Sequence, residues 1–556
     1  MTESIAVRSE PSRPDLTRSD PIRSDPIRDG LARGWKVHGG PHAALPATLT
    51  CDVVIVGTGA GAGITAELMT QAGLDVILIE EGPLKSSSDF NQRESEAYPQ
   101  LYQESAARKT ADKAINILQG RCVGGSTTVN WTSSFRTPPS TLTYWQQRFG
   151  LTDLTEAAMA PWFEQAERRL NIGPWLTRAN ENNDLLRRGA EKLGIPAESI
   201  KRNVKGCWNL GSCGMGCPTN AKQSMLVTTI PAALDKGARL LTQTRAQEFK
   251  LSNGKVEALL CVPVATDGSA VGSAVTRIVA KHYVVSGGAI NSPALLKRSN
   301  APDPNSHLGA RTFLHPVVIS SAIFQQAVEG WNGAPQTIYS DHFLGTQAID
   351  GPIGYKLEAP PIHPVIFASS LPGYGQQQAD MLKTFPNTHS LLALMRDGFH
   401  EQSVGGQVKL HSNGTPILDY PLSDFVMEGA RRSFLSMAEI QFAAGAKGVL
   451  PVHEQALMYS SWAQAREAIK ALAMKPLLTR VVSAHVMGGC AISATDKQGV
   501  VRGDGVHWQI ENLSVHDGSL FPTSIGANPQ LSVYGLVNKL ATALTKRLSG
   551  KDVVLA

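Results

Sequence analysis

The stretch Asp52-Val-Val-Ile-Val56, continued by Gly57-Thr-Gly59-Ala-Gly61-Ala62, decides the fold. A short β-branched run that ends in glycine predicts a buried strand. The residues from about Ala62 to Ala72 predict a helix, Gly73 ends it, and Asp75-Val-Ile-Leu-Ile79 predicts a second strand. Strand, turn, helix and strand within about thirty residues make a βαβ unit. In such a turn the first glycine, Gly57, permits the bend, and the second, Gly59, lets the backbone approach a pyrophosphate. The third position is Ala62, small enough for close helix–strand packing. Phosphate charge there meets free N–H groups and the favourable end of the helix dipole. Glu80 follows the second strand, 21 residues after Gly59, where a carboxylate can accept from a ribose hydroxyl. A glycine-rich loop without a ligand is the alternative, and it gives no reason for an acid at that place. The turn alone leaves NAD and FAD both open.

Two further short runs, Tyr283-Val-Val-Ser286 and Leu513-Ser-Val-His516, read as later strands of the same sheet. The sheet is therefore assembled from distant parts of the chain. At 556 residues the chain is too long for one small module, and two large domains are expected. The hydrophobic share is 42% and the charged share 18%, which excludes a disordered chain and allows a large core. A formal charge of +5 is too dilute over this length to argue for nucleic acid. Seven cysteines do not suggest a disulfide framework. No apolar run approaches the ~18 residues of a membrane span. Residues 1–34 read as a disordered arm, since Arg18-Ser-Asp-Pro-Ile and Arg23-Ser-Asp-Pro-Ile repeat within a proline-containing, charged stretch. The N-terminus has no apolar secretory region and no Arg-Arg pair, so a cytoplasmic protein is expected.

Four more segments bear on the cofactor. Gly120-Arg121-Cys-Val-Gly124-Gly125-Ser126-Thr-Thr-Val-Asn130 resembles the first signature of the glucose–methanol–choline (GMC) oxidoreductases, and Gly288-Ala-Ile-Asn-Ser292-Pro293 resembles the second. His485-Val-Met-Gly488-Gly489-Cys490 is similar to a further family segment. Asp517-Gly518-Ser519 with Pro522 and Gly526-Ala-Asn528-Pro529 resembles the C-terminal flavin and active-site stretch. The resemblance runs from about residue 50 to the C-terminus. It implies an α/β protein with a Rossmann-like FAD-binding domain over 50–160, 218–310 and 480–556. A discontinuous α+β substrate domain with cap segments would take 161–217 and 311–479. It further implies that Gly57, Gly59 and Glu80 serve the ADP half of FAD, and that Ala246 meets the adenine through its backbone. Arg121, Gly124, Gly125, Ser126 and Asn130 would line the pyrophosphate and flavin, and Asp517 the ribityl chain, with Gly518, Asn528 and Pro529 beside it. Some members attach FAD through a histidine in or near the GGS segment. None occurs between Gly120 and Arg136, so non-covalent FAD is expected.

Oxidising an alcohol to a carbonyl requires removal of the hydroxyl proton and of a hydride. An imidazole suits the first task. By motif the expected general base is His485, with Asn528 holding the hydroxyl; His315, in Leu314-His-Pro316, reads as structural or substrate-lining. Cys207, Cys213 and Cys217-Pro218 resemble the cysteine motif that holds a three-iron (3Fe-4S) cluster in bacterial FAD-dependent sugar dehydrogenases of this family. The alternative is a loop of reduced thiols packed as small hydrophobes. A cluster would favour a dehydrogenase over an oxidase. It would also allow a small partner subunit that carries the chain to the periplasm. Segments around Lys222 and Trp331 resemble long-chain alcohol oxidases, and Trp331, Tyr339, Phe343, Tyr459 and Trp462 read as an apolar substrate wall or as core. The expected substrate is an alcohol on an apolar or long-chain skeleton, with O2, a quinone or a cytochrome as electron acceptor. An oxidase, a sugar dehydrogenase, a hydroxynitrile lyase and a non-catalytic nucleotide-binding protein are the competing readings.

Overall fold

A computed structural model describes residues 25–40 and 45–555. The strand at the head of the βαβ unit runs Thr48–Val56 and the next Val76–Ile79; both are buried where they meet the turn, with parallel pairs Val53–Val76 through Val56–Ile79. The helix between them spans Ala60–Gln71 and is buried on nearly every side. It lies against the C-terminal helix Gln530–Ser549 and the helix Thr229–Asp235, which explains why no polar stripe marks it.

Across the first sheet the strands run Lys36–Gly39, Arg239–Thr242, Val76–Ile79, Thr48–Val56 and Thr276–Val285, all parallel. Thr276–Val285 then serves two partners. Its first residues pair with Lys255–Pro263, which forms an antiparallel hairpin with Thr244–Ser252; its last, Tyr283–Val285, pair with Leu513–Val515. A strand so placed is read in sequence only at its fully buried end, because Thr276–Lys281 mixes buried with half-exposed and exposed positions and carries Arg277 and Lys281.

A second, mostly antiparallel sheet centres on Val317–Ile323, flanked by Thr388–Met395 and Gly448–Pro451. Tyr355–Glu358, Ile338–Ser340 and Glu198–Ser199 extend it on one side. The 21-residue helix Asp424–Ala444 covers it, capped by the Ser423 hydroxyl and ended by Gly445 in the left-handed region at φ +105°. Each sheet has its own apolar core.

The arm expected over 1–34 does not hold for its last residues. Residues 1–24 lie outside the described residues, but Pro26–Ala32 is helical with Asp25 as its cap, and Trp35 donates to Asp235 at 2.6 Å. Among the described residues no helix is long and apolar enough to cross a membrane.

Candidate active site

Between the sheets lies a cavity of about 560 Å³. Its wall at one end is the glycine turn. Gly57 adopts φ +103°, and a Cβ there would stand 2.3 Å from the Ser286 carbonyl oxygen. Gly59 precedes the first turn of helix Ala60–Gln71, which no side chain caps, so N–H groups at that end remain free toward the cavity. Gly125, at φ +54°, abuts the same point: a Cβ on it would meet the Gly59 Cα at 2.8 Å. The two glycine segments together make a floor of bare backbone.

Glu80 borders this floor. Its carboxylate accepts from the Thr58 hydroxyl at 2.5 Å and from Gly82 N–H at 2.8 Å, and burial pushes it up to about 7. Arg121 is buried with its NH1 lacking any hydrogen-bond partner, and the Glu81 carboxylate stands 3.8 Å away. Ser126 accepts from Gly120 N–H at 2.9 Å, and Asn130 donates to Gln530 at 2.8 Å. Asp517 accepts from Gly288 N–H (2.8 Å) and Ser292 (2.5 Å) through one oxygen, and from Ser519 through the other, tying the last strand to helix Gly288–Arg298. Ala246, Gly518 and Pro529 also line the cavity, the Ala246 carbonyl accepting from Arg298 at 3.2 Å. Ala62 and Gly124 stand behind the wall: Ala62 is fully buried in the helix, and a Cβ on Gly124 would strike Thr128 at 2.3 Å.

The far end holds His485 and Asn528. Strand Val486–Gly488 pairs antiparallel with Thr312–Leu314, Leu314 opposite Val486, so continuing the register by one residue sets His315 opposite His485. Their Nδ1 atoms are 3.1 Å apart and the rings meet edge to face. Gly526 N–H donates to His315 Nε2 at 3.1 Å. Burial lowers His485 to about 4, and burial followed by His485, Lys356 and Arg396 lowers His315 well below its ordinary value. Both rings are neutral at pH 7. The residue read as structural or substrate-lining thus touches the expected base directly.

Asn528 donates from Nδ2 to Glu358 at 3.3 Å, and the same carboxylate oxygen accepts from Gln336 at 2.6 Å. The other Glu358 oxygen and the Asn528 carbonyl oxygen have no partner among the described residues. Lys356, two residues earlier on the same strand face, sits 3.7 Å over the Phe135 ring and 4.2 Å over Tyr339, and burial lowers it to about 8. Sequence reasoning missed Glu358. The available signal was a Lys and a Glu at i, i+2 in the short run Tyr355-Lys-Leu-Glu358, which places both charges on one side of a buried strand.

Burial pushes Glu358 up to about 7. The unfolded carboxyl releases its proton near 4.5, so between about pH 4.5 and pH 7 only the folded chain retains it. Stability from this group is full below that window and is lost as pH rises through it; Glu80 acts in the same window. Glu358→Gln keeps an acceptor and removes the titration. It is expected to flatten the stability decline between about pH 5 and about pH 8 by about 3 kcal/mol. Urea midpoints at the two pH values measure this, and an unchanged slope refutes it.

The metal expectation finds no support. Among the described residues no three His, Cys, Asp or Glu side chains are placed to hold a metal ion. Cys207 instead accepts from Asn209 N–H, Cys213 from Arg202 at 3.8 Å, and Cys217 from Lys222 N–H at 3.5 Å. The Lys222 ammonium donates to the carbonyls of Thr128, Asn130 and Cys213 and so ties this loop to the cavity wall. Glycines at positive φ, Gly211 and Gly216, turn the chain between the thiols.

Of the two readings of the five aromatics, substrate wall or core, the structure favours the second, since none of them lines the cavity. Trp331 stacks on Phe385 at 4.7 Å, Phe343 stacks on Tyr355 at 5.0 Å, and Tyr339 faces Lys356. Tyr459 is buried in the second core, which Trp462 joins at its edge. Tyr102 and Trp131 are the aromatics on the cavity wall, and the Trp131 indole N–H is buried without a partner.

Two models of the GMC oxidoreductase family match the chain, the N-terminal one over residues 98–317 and the C-terminal one over residues 402–536. The chain is 29% identical over 508 residues to an uncharacterized GMC-type oxidoreductase of Sinorhizobium fredii, covering 89% of this chain and 94% of that one. It is 27% identical over 525 residues to a long-chain-alcohol oxidase of Arabidopsis thaliana, with 90% and 68% covered. Among solved structures, a formate oxidase of Aspergillus oryzae RIB40, studied for FAD modification, superimposes with a TM-score of 0.67 at 15% identity over 90% of this chain and 99% of that one. Pyridoxine 4-oxidase from Mesorbium loti does so with a TM-score of 0.65 at 18% identity, over 88% and 98%.

Proposed function

The chain belongs to the GMC oxidoreductase family, and from that premise we propose that it oxidises an alcohol to a carbonyl compound with non-covalently bound FAD. One observation carries the proposal: a single cavity joins an uncapped helix N-terminus at a glycine floor to a neutral histidine and an asparagine. The residues fit a flavin dinucleotide. The free N–H groups beyond Gly59 and the Arg121 guanidinium, whose NH1 makes no hydrogen bond though Glu81 stands near it, suit a pyrophosphate, Glu80 suits a ribose, and bare glycine at 59 and 125 leaves room for close approach. Bound FAD supplies the hydride acceptor. The residues of the chain do the rest. Asn528, held by Glu358, presents its unpartnered carbonyl oxygen to the hydroxyl, and His485 takes up the hydroxyl proton at Nε2, leaving the carbinol carbon free to lose hydride.

The proposed substrate class is an alcohol on an apolar skeleton, supported by the likeness to the plant long-chain-alcohol oxidase. Oxidase and dehydrogenase both remain open: the thiols of Cys207, Cys213 and Cys217 lie near one another, while among the described residues no three His, Cys, Asp or Glu side chains are set to hold a metal ion. The acceptor is therefore best settled by comparing oxygen and an artificial dye across a panel of alcohols. The decisive experiment is anaerobic mixing of the flavin-loaded protein with that panel. The expected result is bleaching by at least one long-chain primary alcohol. A colourless protein that takes up no flavin overturns the proposal, and cyanohydrin cleavage without bleaching replaces it with a lyase.

A further inference from the structure

We infer that His315 is a positioning residue that fixes the tautomer of His485, so that His485 presents a protonated Nε2 to the cavity in the resting enzyme. The inference deepens the reading above and rests on it only in giving His485 a role in proton uptake. One chain of hydrogen bonds sets the protonation of both rings. A backbone N–H can only donate, and Gly526 N–H donates to His315 Nε2 at 3.1 Å. That nitrogen therefore carries no proton, and a neutral imidazole must then hold its one proton on Nδ1. Nδ1 of His315 faces Nδ1 of His485 at 3.1 Å, a contact that accommodates one hydrogen and not two. His315 donates it, so Nδ1 of His485 accepts. The proton of His485 then resides on Nε2, for which no partner exists among the described residues.

The opposite arrangement fails on charge. If His485 donated from Nδ1, His315 would accept at both nitrogens and become an imidazolate in a fully buried position. A doubly protonated His485 would set two N–H groups head to head. Burial disfavours the charged form of both rings, in line with the neutral pair. The surroundings hold the geometry in place. The 314–486 register fixes the two backbones, and Gly526, at φ +77°, sits against the Arg396 side chain.

The consequence concerns sequence in time. An arriving hydroxyl first meets a donor, and Nε2 can accept its proton only after the Nδ1 contact with His315 opens. Once it opens, the single proton of His485 moves from Nε2 to Nδ1 by exchange with water, and no group changes net charge. Nε2 is then bare and takes the hydroxyl proton.

The test is the 15N spectrum of the flavin-loaded enzyme labelled at its histidine rings, with His485 assigned by its loss in His485→Gln. The expected result is one His485 resonance in the range of a protonated ring nitrogen, coupled to the Cε1 and Cδ2 protons as Nε2 is, and one in the range of a bare nitrogen at Nδ1. In His315→Asn the amide can turn either its N–H or its oxygen to His485, so the two resonances are expected to move toward each other. A wild-type spectrum with Nδ1 protonated overturns the inference, as does an unchanged tautomer in His315→Asn. If that variant does not fold, the wild-type spectrum decides alone. Failure of alcohols to bleach the flavin would overturn the proposed function while leaving this spectrum as it is.

Discussion

His485→Ala is expected to lower the rate of anaerobic flavin reduction by alcohol about a thousandfold, within the roughly 10²–10⁴ range of a positioned proton acceptor. In barrier terms that is about 4 kcal/mol. The size follows from the surroundings. Among the described residues the His485 ring hydrogen-bonds one side chain, His315, and burial alone, with no charged neighbour, shifts its proton affinity, so no carboxylate is at hand to replace it as acceptor. Glu358, with an unpartnered oxygen and a raised proton affinity, is held against Asn528 and does not line the cavity. The substitution removes no contact to the glycine floor, so flavin content is expected to stay at the wild-type level. Stopped-flow reduction with matched flavin content makes the measurement. A fall of less than about tenfold would show that the proton leaves by another route.

Gly59→Ala is expected to yield a folded protein without FAD, its affinity for the flavin reduced at least about a hundredfold, or about 2.7 kcal/mol. A Cβ at position 59 has nothing nearer than the Gly125 Cα at 3.9 Å, so the chain itself tolerates the methyl. The methyl instead occupies the space above the free helix end where phosphate oxygens would lie. Gly61→Ala makes the contrast. There a Cβ would stand 1.7 Å from the His516 carbonyl oxygen, backbone against backbone, and neither side can give way cheaply. That variant is expected to lose stability by about 3 kcal/mol or more, read as a lower urea midpoint or loss of soluble protein. Gel filtration after incubation with FAD separates the two outcomes, and a Gly59→Ala protein that retains stoichiometric flavin would remove the glycine turn from the binding role.

What could be read from the chain beforehand has a physical boundary. The buried parallel strands and the turn were legible because their residue types answer to local demands: β-branched residues inside, glycine where φ turns positive, an acid after the second strand. Even so, the first strand begins at Thr48, four residues ahead of the expected Asp52. Thr48–Cys51 is only half covered and shows no apolar run. Positions set by long-range register were not legible. Nothing near Leu314-His315-Pro316 signals that it faces residue 485, because that pairing arises only when Thr312–Leu314 meets Val486–Gly488. The aromatics mark the same limit. Composition and spacing say which side chains are close along the chain, but not which way they point.

The divided strand Thr276–Val285 bears on how the molecule is made. Its upper half is completed by Leu513–Val515, some 230 residues later, and the helix behind the glycine turn is completed by Gln530–Ser549. During synthesis the nucleotide-binding half therefore waits, with one flank uncovered, until almost the whole polypeptide has left the ribosome. Flavin is therefore expected to load only after translation, and truncation of the last helix is expected to leave nascent chains dependent on chaperones.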